Sequence, residues 1–213
     1  MEPARESTMR IRITFLKQGA LRYTGHLDLH KLWERAARRA ELPLAYSQGF
    51  HPQPKMNMAA ALPLGFSSRC EVMDMKLEHD ISLDNLATRL NGTLPAGLQV
   101  VEVQQVDEHA PALQTQVAAA EYEVTLTESV DGSELQRKID SVIESESIPR
   151  ERRGKTYDLR PLVETLSLLH NHKIFMRLAA REGATGRPEE VLDVLGIAFE
   201  ETRIERTRLL FQS

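Results

Sequence analysis

The order in which two apolar periodicities alternate along the chain is the feature that most constrains its fold. Residues 10–15 alternate apolar and polar side chains, which predicts a half-buried strand. Residues 27–40 place apolar side chains at helical spacing, and Pro43 ends that helix. Four further elements are predicted in the same way: strands on both sides of a turn in 44–58, a strand over 71–77, a helix over 83–90 with Ser82 as N-cap, and a strand over 98–106. The order β-α-β-β-α-β predicts a ferredoxin-like unit.

The same order starts again in the second half of the chain. It comprises a strand at 122–126, a helix after a capping box at Ser133, an apolar run at 157–169 broken at Pro161, a strand at 173–179, a helix from Pro188 to Leu195 and a last strand at 204–211. We therefore predict an α+β fold of two tandem ferredoxin-like units with antiparallel sheets. The predicted boundaries are 9–106 for the first unit, 107–120 for a linker and 121–213 for the second unit.

Composition narrows the class of protein. The chain is 41% hydrophobic and 27% charged, as in a globular protein, and no apolar run approaches the roughly 20 residues that span a bilayer. The first eight residues carry both charge signs and no apolar run, so we expect a short disordered lead and no secretory signal. The single cysteine, Cys70, excludes an internal disulfide and is expected to be a small buried residue. These features favour a cytoplasmic protein without a membrane partner.

Charge is unevenly distributed along the chain. Residues 1–55 carry 10 Lys/Arg and 5 Asp/Glu, a net of +5, whereas residues 71–147 carry 4 and 16, a net of −12. Residues 148–213 carry 12 and 10, a net of +2. The overall net charge of −4 argues against a nucleic-acid binder that depends on bulk charge, but it leaves room for a local basic groove.

Residues 44–58 form a segment that holds its own conformation. Pro52 and Pro54 fix φ and bias their predecessors to extended backbone, and Gly49 permits a turn that other residues disfavour. The segment presents four side chains on a stiff frame: Tyr46, Ser47, His51 and Lys55. One interpretation is a rigid hairpin corner with incidental polar residues. The favoured interpretation is a binding site for an anionic or aromatic ligand.

Two groups of basic and aromatic residues support the second interpretation. Arg22, Tyr23 and His26 precede the first helix, and the β-α-β-β plan brings them close to the 44–58 segment. Residues 150–160 contain a second cluster of five cations: Arg150, Arg152, Arg153, Lys155 and Arg160. Such residues bind phosphates and stack on unpaired bases. A solvated basic loop with intramolecular salt bridges is an equally open interpretation of the second cluster.

Motifs for a metal site or a catalytic nucleophile are weaker signals than these basic and aromatic residues. His26, Asp28 and His30 have metal-like spacing, but positions i, i+2 and i+4 of a helix do not share one face, so no metal site is predicted. Ser47 and His51 are close in sequence, but no elbow motif or third member accompanies them. We therefore assign no catalytic residue from these motifs.

Three stretches resemble the radical-SAM-linked protein family. They are Leu21-Arg-Tyr-Thr-Gly-His-Leu-Asp-Leu29, Tyr46-Ser-Gln-Gly-Phe-His-Pro-Gln-Pro-Lys55 and Ala61-Leu-Pro-Leu-Gly-Phe-Ser-Ser68. That family is a bacterial domain without an assigned activity, found beside radical SAM proteins or fused to them. The resemblance implies a radical SAM protein as partner, with the iron–sulfur cluster and SAM held by the partner and no cofactor on this chain.

These observations predict a non-catalytic subunit that binds RNA, either tRNA or rRNA, and presents it to a radical SAM enzyme for modification. In this hypothesis Tyr23 and Tyr46 stack on a base, and the cations Arg22, Lys55, Arg152, Arg153 and Lys155 hold phosphates. Two alternatives remain open. One is a metal-independent endoribonuclease with His51 or His26 as general acid or base. The other is a protein-docking module that binds its partner through the acidic residues 71–147.

Overall fold

The structure, a computed structural model, describes residues 8–128, 130–170 and 173–212. The chain divides into two compact units, Met1–Gln116 and Val117–Ser213. The predicted N-terminal lead falls almost entirely on residues 1–7, which lie outside the described residues. No helix in the described part of the chain is long and apolar enough to cross a membrane.

The first unit contains four strands and two α-helices. They are β1 (Met9–Lys17), α1 (His26–Arg39), β2 (Met56–Met58), β3 (Ser67–Leu77), α2 (Leu86–Asn91) and β4 (Leu98–Val106). Within this unit the strands lie in the order β4-β1-β3-β2, and each neighbouring pair is antiparallel. A short 3₁₀ helix, Gly19–Tyr23, connects β1 to α1.

The core of the first unit lies between one face of this sheet and the apolar stripes of its two helices. β1 contributes alternate side chains that are fully buried, and α1 contributes a stripe that includes Leu29 and Trp33. The Trp33 ring packs edge-on against Phe15, with ring centroids 4.8 Å apart. The alternation in β1 and the 3.6-residue spacing in α1 therefore place the predicted apolar residues in one core.

The other face of β1 carries a buried charge network. Arg10 and Arg12 both donate to the Asp74 carboxylate on β3, at 2.5 Å and 2.8 Å for their shortest contacts. Arg10 also donates to the carbonyl oxygens of Ala110 and Pro111, at 2.6 Å and 3.0 Å. These bonds tie the segment that follows β4 to the sheet, and they compensate the cost of burying the three charges.

In the second unit, the described residues form seven strands and two α-helices. They are β5 (Val117–Leu126), α3 (Gly132–Glu144), β6 (Pro149–Arg152), β7 (Lys155–Asp158), β8 (Val163–Leu169), β9 (Lys173–Arg181), β10 (Ala184–Thr185), α4 (Pro188–Leu195) and β11 (Thr202–Phe211). β5 lies between β11 and β9, and both β8 and β10 pair with the other edge of β9. β6 and β7 form a separate antiparallel hairpin.

Local sequence signals account for the helix ends in the second unit. The side chain of Asp131 accepts hydrogen bonds from the amides of Ser133 and Glu134, which caps α3. Pro188 occupies the first turn of α4, and Gly196 ends that helix with a φ of +71°. The predicted α+β class is confirmed, and the strand pairs described above are antiparallel.

Some predicted elements differ from the observed ones. α2 begins at Leu86 rather than at residue 83, because the hydroxyl of Ser82 bonds to Asp84 within a turn and does not cap the helix. The two strands predicted in 44–58 reduce to β2 and two isolated bridges, Leu44 to Leu77 and Tyr46 to Pro54. Prolines in this segment lack the amide that a continuous ladder requires.

Candidate nucleic-acid interface

Residues 47–53 form a closed loop, here called the Phe50 loop. The amide of Ser47 donates to the carbonyl of Gln53 at 2.8 Å, and the amide of Gln53 donates to the Ser47 hydroxyl at 2.9 Å. The bridge between Tyr46 and Pro54 continues this closure by one residue on each side. The Ser47 hydroxyl therefore has a structural role: it accepts the hydrogen bond that closes the loop.

The predicted site residues on this segment differ in exposure. The side chains of His51 and Lys55 are exposed, whereas Tyr46 is half-buried and packs against the core of the first unit. The Tyr46 hydroxyl lies 3.4 Å from Oε1 of Glu34, and burial followed by the charge of Glu34 raises the pKa of Tyr46. Tyr46 thus anchors the loop to α1 and offers little ring surface for stacking.

Phe50 is a residue of this loop that sequence reasoning missed. Its relative exposure is 102%, the highest among the exposed large apolar side chains of the described residues. A single phenylalanine in a loop has no periodicity that would show whether its ring is buried. The neighbouring Gly49 and the polar residues around it were the available signal, because they make the tip of a turn a poor place for a core residue.

A groove of about 360 Å³ separates α1 from the segment that follows the loop. On the helix side it is lined by His26, Leu27, His30, Lys31 and Glu34, and on the other side by Gln53, Pro54 and Met56. The structure therefore brings His26 together with the end of the Phe50 loop. Lys55 lies between Pro54 and Met56, and the alternation of extended backbone directs its side chain away from the groove.

Two histidines sit side by side at the start of α1. The ring centroids of His26 and His30 are 4.8 Å apart. Burial lowers the pKa of His30, and the positive charge of His26 adds to this shift. Among the residues that the structure describes, no group of three His, Cys, Asp or Glu side chains is placed to hold a metal ion. Cys70 is half-buried, with its Sγ 3.6 Å from the Ser68 hydroxyl.

Arg22 and Tyr23 lie in the 3₁₀ helix that precedes α1. The Arg22 guanidinium lies over the Tyr23 ring, 4.7 Å from its centroid, and the Tyr23 side chain is 62% exposed. The Arg22 carbonyl accepts a hydrogen bond from the amide of Gly65 at 2.9 Å, which fixes the 3₁₀ helix against the next loop. The Arg22 cation therefore covers one face of the Tyr23 ring, and most of the Tyr23 side chain stays open to solvent.

The segments that carry the Arg22–Tyr23 pair and the Phe50 loop lack carboxylates. Residues 7–27 and 42–70 contain no Asp or Glu. The carboxylates that line the groove or begin α1 come from the helix itself: Glu34 contacts Tyr46 and Arg38, and Asp28 lies 3.9 Å from Lys31. Loops without acidic side chains, together with exposed cations and aromatic rings, are chemically suited to a polyanion with π-faces.

The second predicted cluster is organised differently. Arg150 donates to Asp193 at 2.5 Å and to the carbonyl of Glu190 at 3.1 Å. Arg152 forms two bonds to the Glu190 carboxylate, at 3.0 Å and 2.5 Å, and its guanidinium lies 4.7 Å above the Tyr157 ring. Both arginines attach the β6–β7 hairpin to α4, so their donors are largely engaged within the second unit.

The base of the hairpin is also fixed by internal hydrogen bonds. Arg160 donates to the carbonyl of Ile143 at the end of α3, at 2.8 Å and 3.1 Å, and to that of Val163 at 2.9 Å. The Asp158 carboxylate accepts from the amides of Ile148 and Arg160, at 2.7 Å and 2.9 Å, and these bonds lower the pKa of Asp158. Arg160 therefore has a structural role at this helix end.

The hairpin turn exposes the two remaining cations of the cluster. Arg153 and Gly154 occupy the turn with φ values of +53° and +73°, the two positive angles that a tight two-residue hairpin requires. The side chains of Arg153 and Lys155 are exposed. Of the five cations in this cluster, these two are the ones directed to solvent rather than to carbonyl or carboxylate oxygens in the described residues.

Comparison with known proteins identifies a family but not an activity. A family model described as "Uncharacterized protein conserved in bacteria (DUF2344)" matches residues 10–188. No curated protein matches the chain.

Two solved structures are among those to which the chain shows similarity. A chain of a Cbf5-Nop10-Gar1 complex is 9% identical with a TM-score of 0.47; the match covers 93% of this chain and 48% of that one, so this protein spans about half of its length. The acetolactate synthase small subunit from Thermotoga maritima is 10% identical with a TM-score of 0.27, over 97% and 96% of the two chains. With TM-scores below 0.5, neither similarity supports an argument about function.

Proposed function

This chain belongs to the DUF2344 family of uncharacterized proteins conserved in bacteria, and we propose that it is a non-catalytic, cytoplasmic subunit that binds RNA and presents it to a radical SAM enzyme. One observation carries the proposal: exposed aromatic and cationic side chains, among them Tyr23, Phe50 and Lys55, lie in two segments, 18–27 and 42–70, that contain no carboxylate. A polyanion with exposed π-faces complements such a surface, and RNA with unpaired residues is that kind of ligand.

Phosphate contacts are assigned to the cations that remain exposed. His51 and Lys55 are exposed on or beside the Phe50 loop, and Arg153 and Lys155 are exposed at the tip of the β6–β7 hairpin. Exposed cations bind phosphates by releasing counterions, and this makes affinity fall with salt. Arg150, Arg152 and Arg160 are given a supporting role, because their donors hold the hairpin to α4 and α3.

The partner and the reaction follow from the resemblance to radical-SAM-linked proteins. The partner enzyme would supply the iron–sulfur cluster and SAM, and this chain would supply the recognition of tRNA or rRNA. A chain with one cysteine is compatible with this division, since an iron–sulfur cluster requires several thiolate ligands.

We also propose that each unit is a ferredoxin-like module. The first covers about 9–106, and the second begins with β5 at Val117, so the predicted 107–120 linker shortens to the residues before Val117. The antiparallel order β4-β1-β3-β2 in the first unit supports this assignment, and so does the corresponding order β11-β5-β9-β8 in the second. The β6–β7 hairpin is then an insertion between the first helix of the second module and its next sheet strand.

Two experiments test the proposed function. Tagged protein is purified from its native cells, and the bound RNA and bound proteins are both sequenced; enrichment of one RNA class with a radical SAM protein is expected. With pure protein, Lys55→Ala combined with Arg153→Ala is expected to weaken RNA binding and to reduce its salt dependence. Arg35→Ala removes an exposed cation of α1, outside segments 18–27 and 42–70 and outside the β6–β7 hairpin, and serves as the control. Equal affinity of the double variant and the wild type would refute the proposal.

The same preparations test the alternatives. Cleavage of RNA by pure protein in the presence of a chelator, lost in His51→Ala or His26→Ala, would indicate an endoribonuclease. Co-purification of a radical SAM protein without any RNA would instead indicate a docking module that uses the acidic residues 71–147.

A further inference from the structure

The fully exposed ring of Phe50 is the feature that the proposed function leaves unused. A phenyl ring in water forgoes the free energy of burying its apolar surface, so a ring held at 102% relative exposure gains by binding a partner. Leu27, which is 74% exposed, lines the same groove as Gln53 and Pro54 at the end of the Phe50 loop. Large exposed apolar side chains beside a groove are typical of an interaction surface.

The loop that carries Phe50 is preorganised. Two hydrogen bonds between Ser47 and Gln53 close it, at 2.8 Å and 2.9 Å, and Pro52 fixes the backbone within it. Gly49, immediately before Phe50, has a φ of +127°, a backbone conformation that is essentially restricted to glycine. A ring held on such a loop loses little conformational entropy when it binds, which raises the affinity for a ligand that fits.

Charge around the ring decides the kind of ligand. His51 follows Phe50 directly, Lys55 lies at the far end of the segment, and residues 42–70 contain no Asp or Glu. Of the carboxylates on the facing helix, Glu34 already contacts the Tyr46 hydroxyl and Arg38. An apolar protein partner would cover the ring but leave the cations unused, whereas a nucleotide offers a flat apolar base to the ring and a phosphate to the cations.

We infer that Phe50 is the stacking platform for an unpaired base of RNA, with His51 and Lys55 contacting the adjacent phosphates. This inference rests on the proposed RNA binding and makes it specific: the substrate is RNA with single-stranded or looped-out residues. A continuous duplex buries its base faces in the helical stack and cannot offer one to the ring. Arg22 covers one face of the Tyr23 ring, and the rest of that ring is available to a second base.

The test compares three RNAs of equal length and three variants of the full chain. A single strand, a stem with an unpaired loop and a continuous duplex are titrated by calorimetry against the wild type, Phe50→Ala and Phe50→Trp. Val101→Ala is the matched control, because Val101 is an apolar residue of the first unit that is 58% exposed on β4. Circular dichroism confirms that each variant is folded.

The expected result is specific to the ring. Phe50→Ala lowers affinity for the single strand and the looped stem by about tenfold or more, Phe50→Trp retains it, and Val101→Ala has no effect. The salt dependence of Phe50→Ala stays as in the wild type because no phosphate contact is lost, whereas Lys55→Ala reduces the salt slope by about 1.

Different outcomes separate the inference from the proposed function. If Phe50→Ala binds the single strand as tightly as the wild type while the Lys55 and Arg153 double variant binds weakly, RNA binding stands and the stacking role is refuted. Equal affinity of the wild type for the duplex and the single strand also refutes the stacking role. If the wild type binds none of the three RNAs, the proposed function itself fails. If Phe50→Ala binds RNA normally but no longer retains a protein partner, the ring is a protein-docking residue instead.

Discussion

The Phe50 loop and the β6–β7 hairpin are both turns that carry cations and an aromatic residue, but they use these residues in opposite ways. In the hairpin, Arg150 and Arg152 are bonded to oxygens of α4 within the same unit. In the loop, His51 is exposed and the surrounding segment contains no carboxylate. The hairpin therefore uses two of its four cations, Arg150 and Arg152, for its own attachment, whereas the loop leaves His51 exposed to a ligand.

The difference shows that a count of cations in a sequence does not measure the charge that a surface offers. Glu190, the partner of Arg152, lies 38 residues further along the chain. Only the fold reveals that this carboxylate is within bonding distance. The two turns thus differ in the presence of non-local hydrogen-bond acceptors. Three sets of measurements test this difference.

The largest expected effect is that of Arg152→Ala on stability. It removes two bonds to Glu190 and the contact with Tyr157, and we expect the free energy of unfolding to fall by about 2 kcal/mol. The side chains of Arg152 and Glu190 are 26% and 20% exposed, so the loss of stability should be below that of a fully buried ion pair. Urea denaturation followed by circular dichroism measures the change.

The neighbouring cation provides the control for this prediction. Arg153→Ala removes an exposed side chain one residue further along and should change stability by less than about 0.5 kcal/mol. Similar losses for both variants would contradict the distinction between engaged and exposed cations.

A smaller effect is expected at the two glycines that turn the chain. An added Cβ would meet nothing within 4 Å at Gly49 or at Gly154, so a substitution there changes only the backbone energy. Gly49→Ala should cost about 1.5 kcal/mol because φ is +127°, and Gly154→Ala should cost about 1 kcal/mol because φ is +73°.

Asparagine separates this backbone effect from other causes. Gly154→Asn should be milder than Gly154→Ala, since asparagine tolerates the left-handed region, whereas Gly49→Asn should recover nothing. Thermal or urea unfolding of the four variants gives the comparison, and equal recovery at both positions would rule out the assigned conformations.

The smallest expected effect is a difference in pH response between the two units. Burial and His26 lower the pKa of His30, so between that value and the ordinary value of about 6.5 the unfolded chain binds more protons than the folded one. The contribution of His30 to stability is therefore complete above pH ~6.5 and declines as the pH falls below it. His30→Gln should remove this decline, and the exposed His79 is the control position.

In the hairpin, stability also declines as the pH falls, but Asp158 causes this decline at a more acidic pH than His30 does. Backbone amides lower the pKa of Asp158 below its ordinary value of 3.8, so its contribution is complete above that value and is lost as the pH falls through the lowered pKa. Titration of the imidazole and carboxyl resonances by NMR reports both groups in one sample. A His30 resonance that titrates above the ordinary histidine range would contradict the assigned burial.

Periodicity and cap signals predicted much of the secondary structure. The alternation in β1 and the stripe on α1 are properties of consecutive residues, and the carboxylate of Asp131 satisfies amides two and three residues away. Each of these signals is local, which is why it can be read from sequence alone. The start of α2 was missed because Ser82 had a competing local partner in Asp84.

The candidate site was less predictable because it depends on exposure and on distant partners. Tyr46 and Phe50 are aromatic residues four positions apart in one loop, yet the first packs against the core and the second is fully exposed. A loop has no hydrophobic periodicity, so the sequence does not show which of the two rings is buried. The ion pairs of Arg150 and Arg152 were equally hidden, since sequence spacing does not show which carboxylates fold back onto a hairpin.

The edge-on packing of Trp33 against Phe15 has a practical consequence. The chain contains one tryptophan, and it is fully buried in the core of the first unit. Intrinsic fluorescence excited at the indole band therefore reports the unfolding of that unit alone, without any label. Far-ultraviolet signals report the strands and helices of both units, so a denaturation curve recorded with the two probes will reveal whether the units melt together or one after the other.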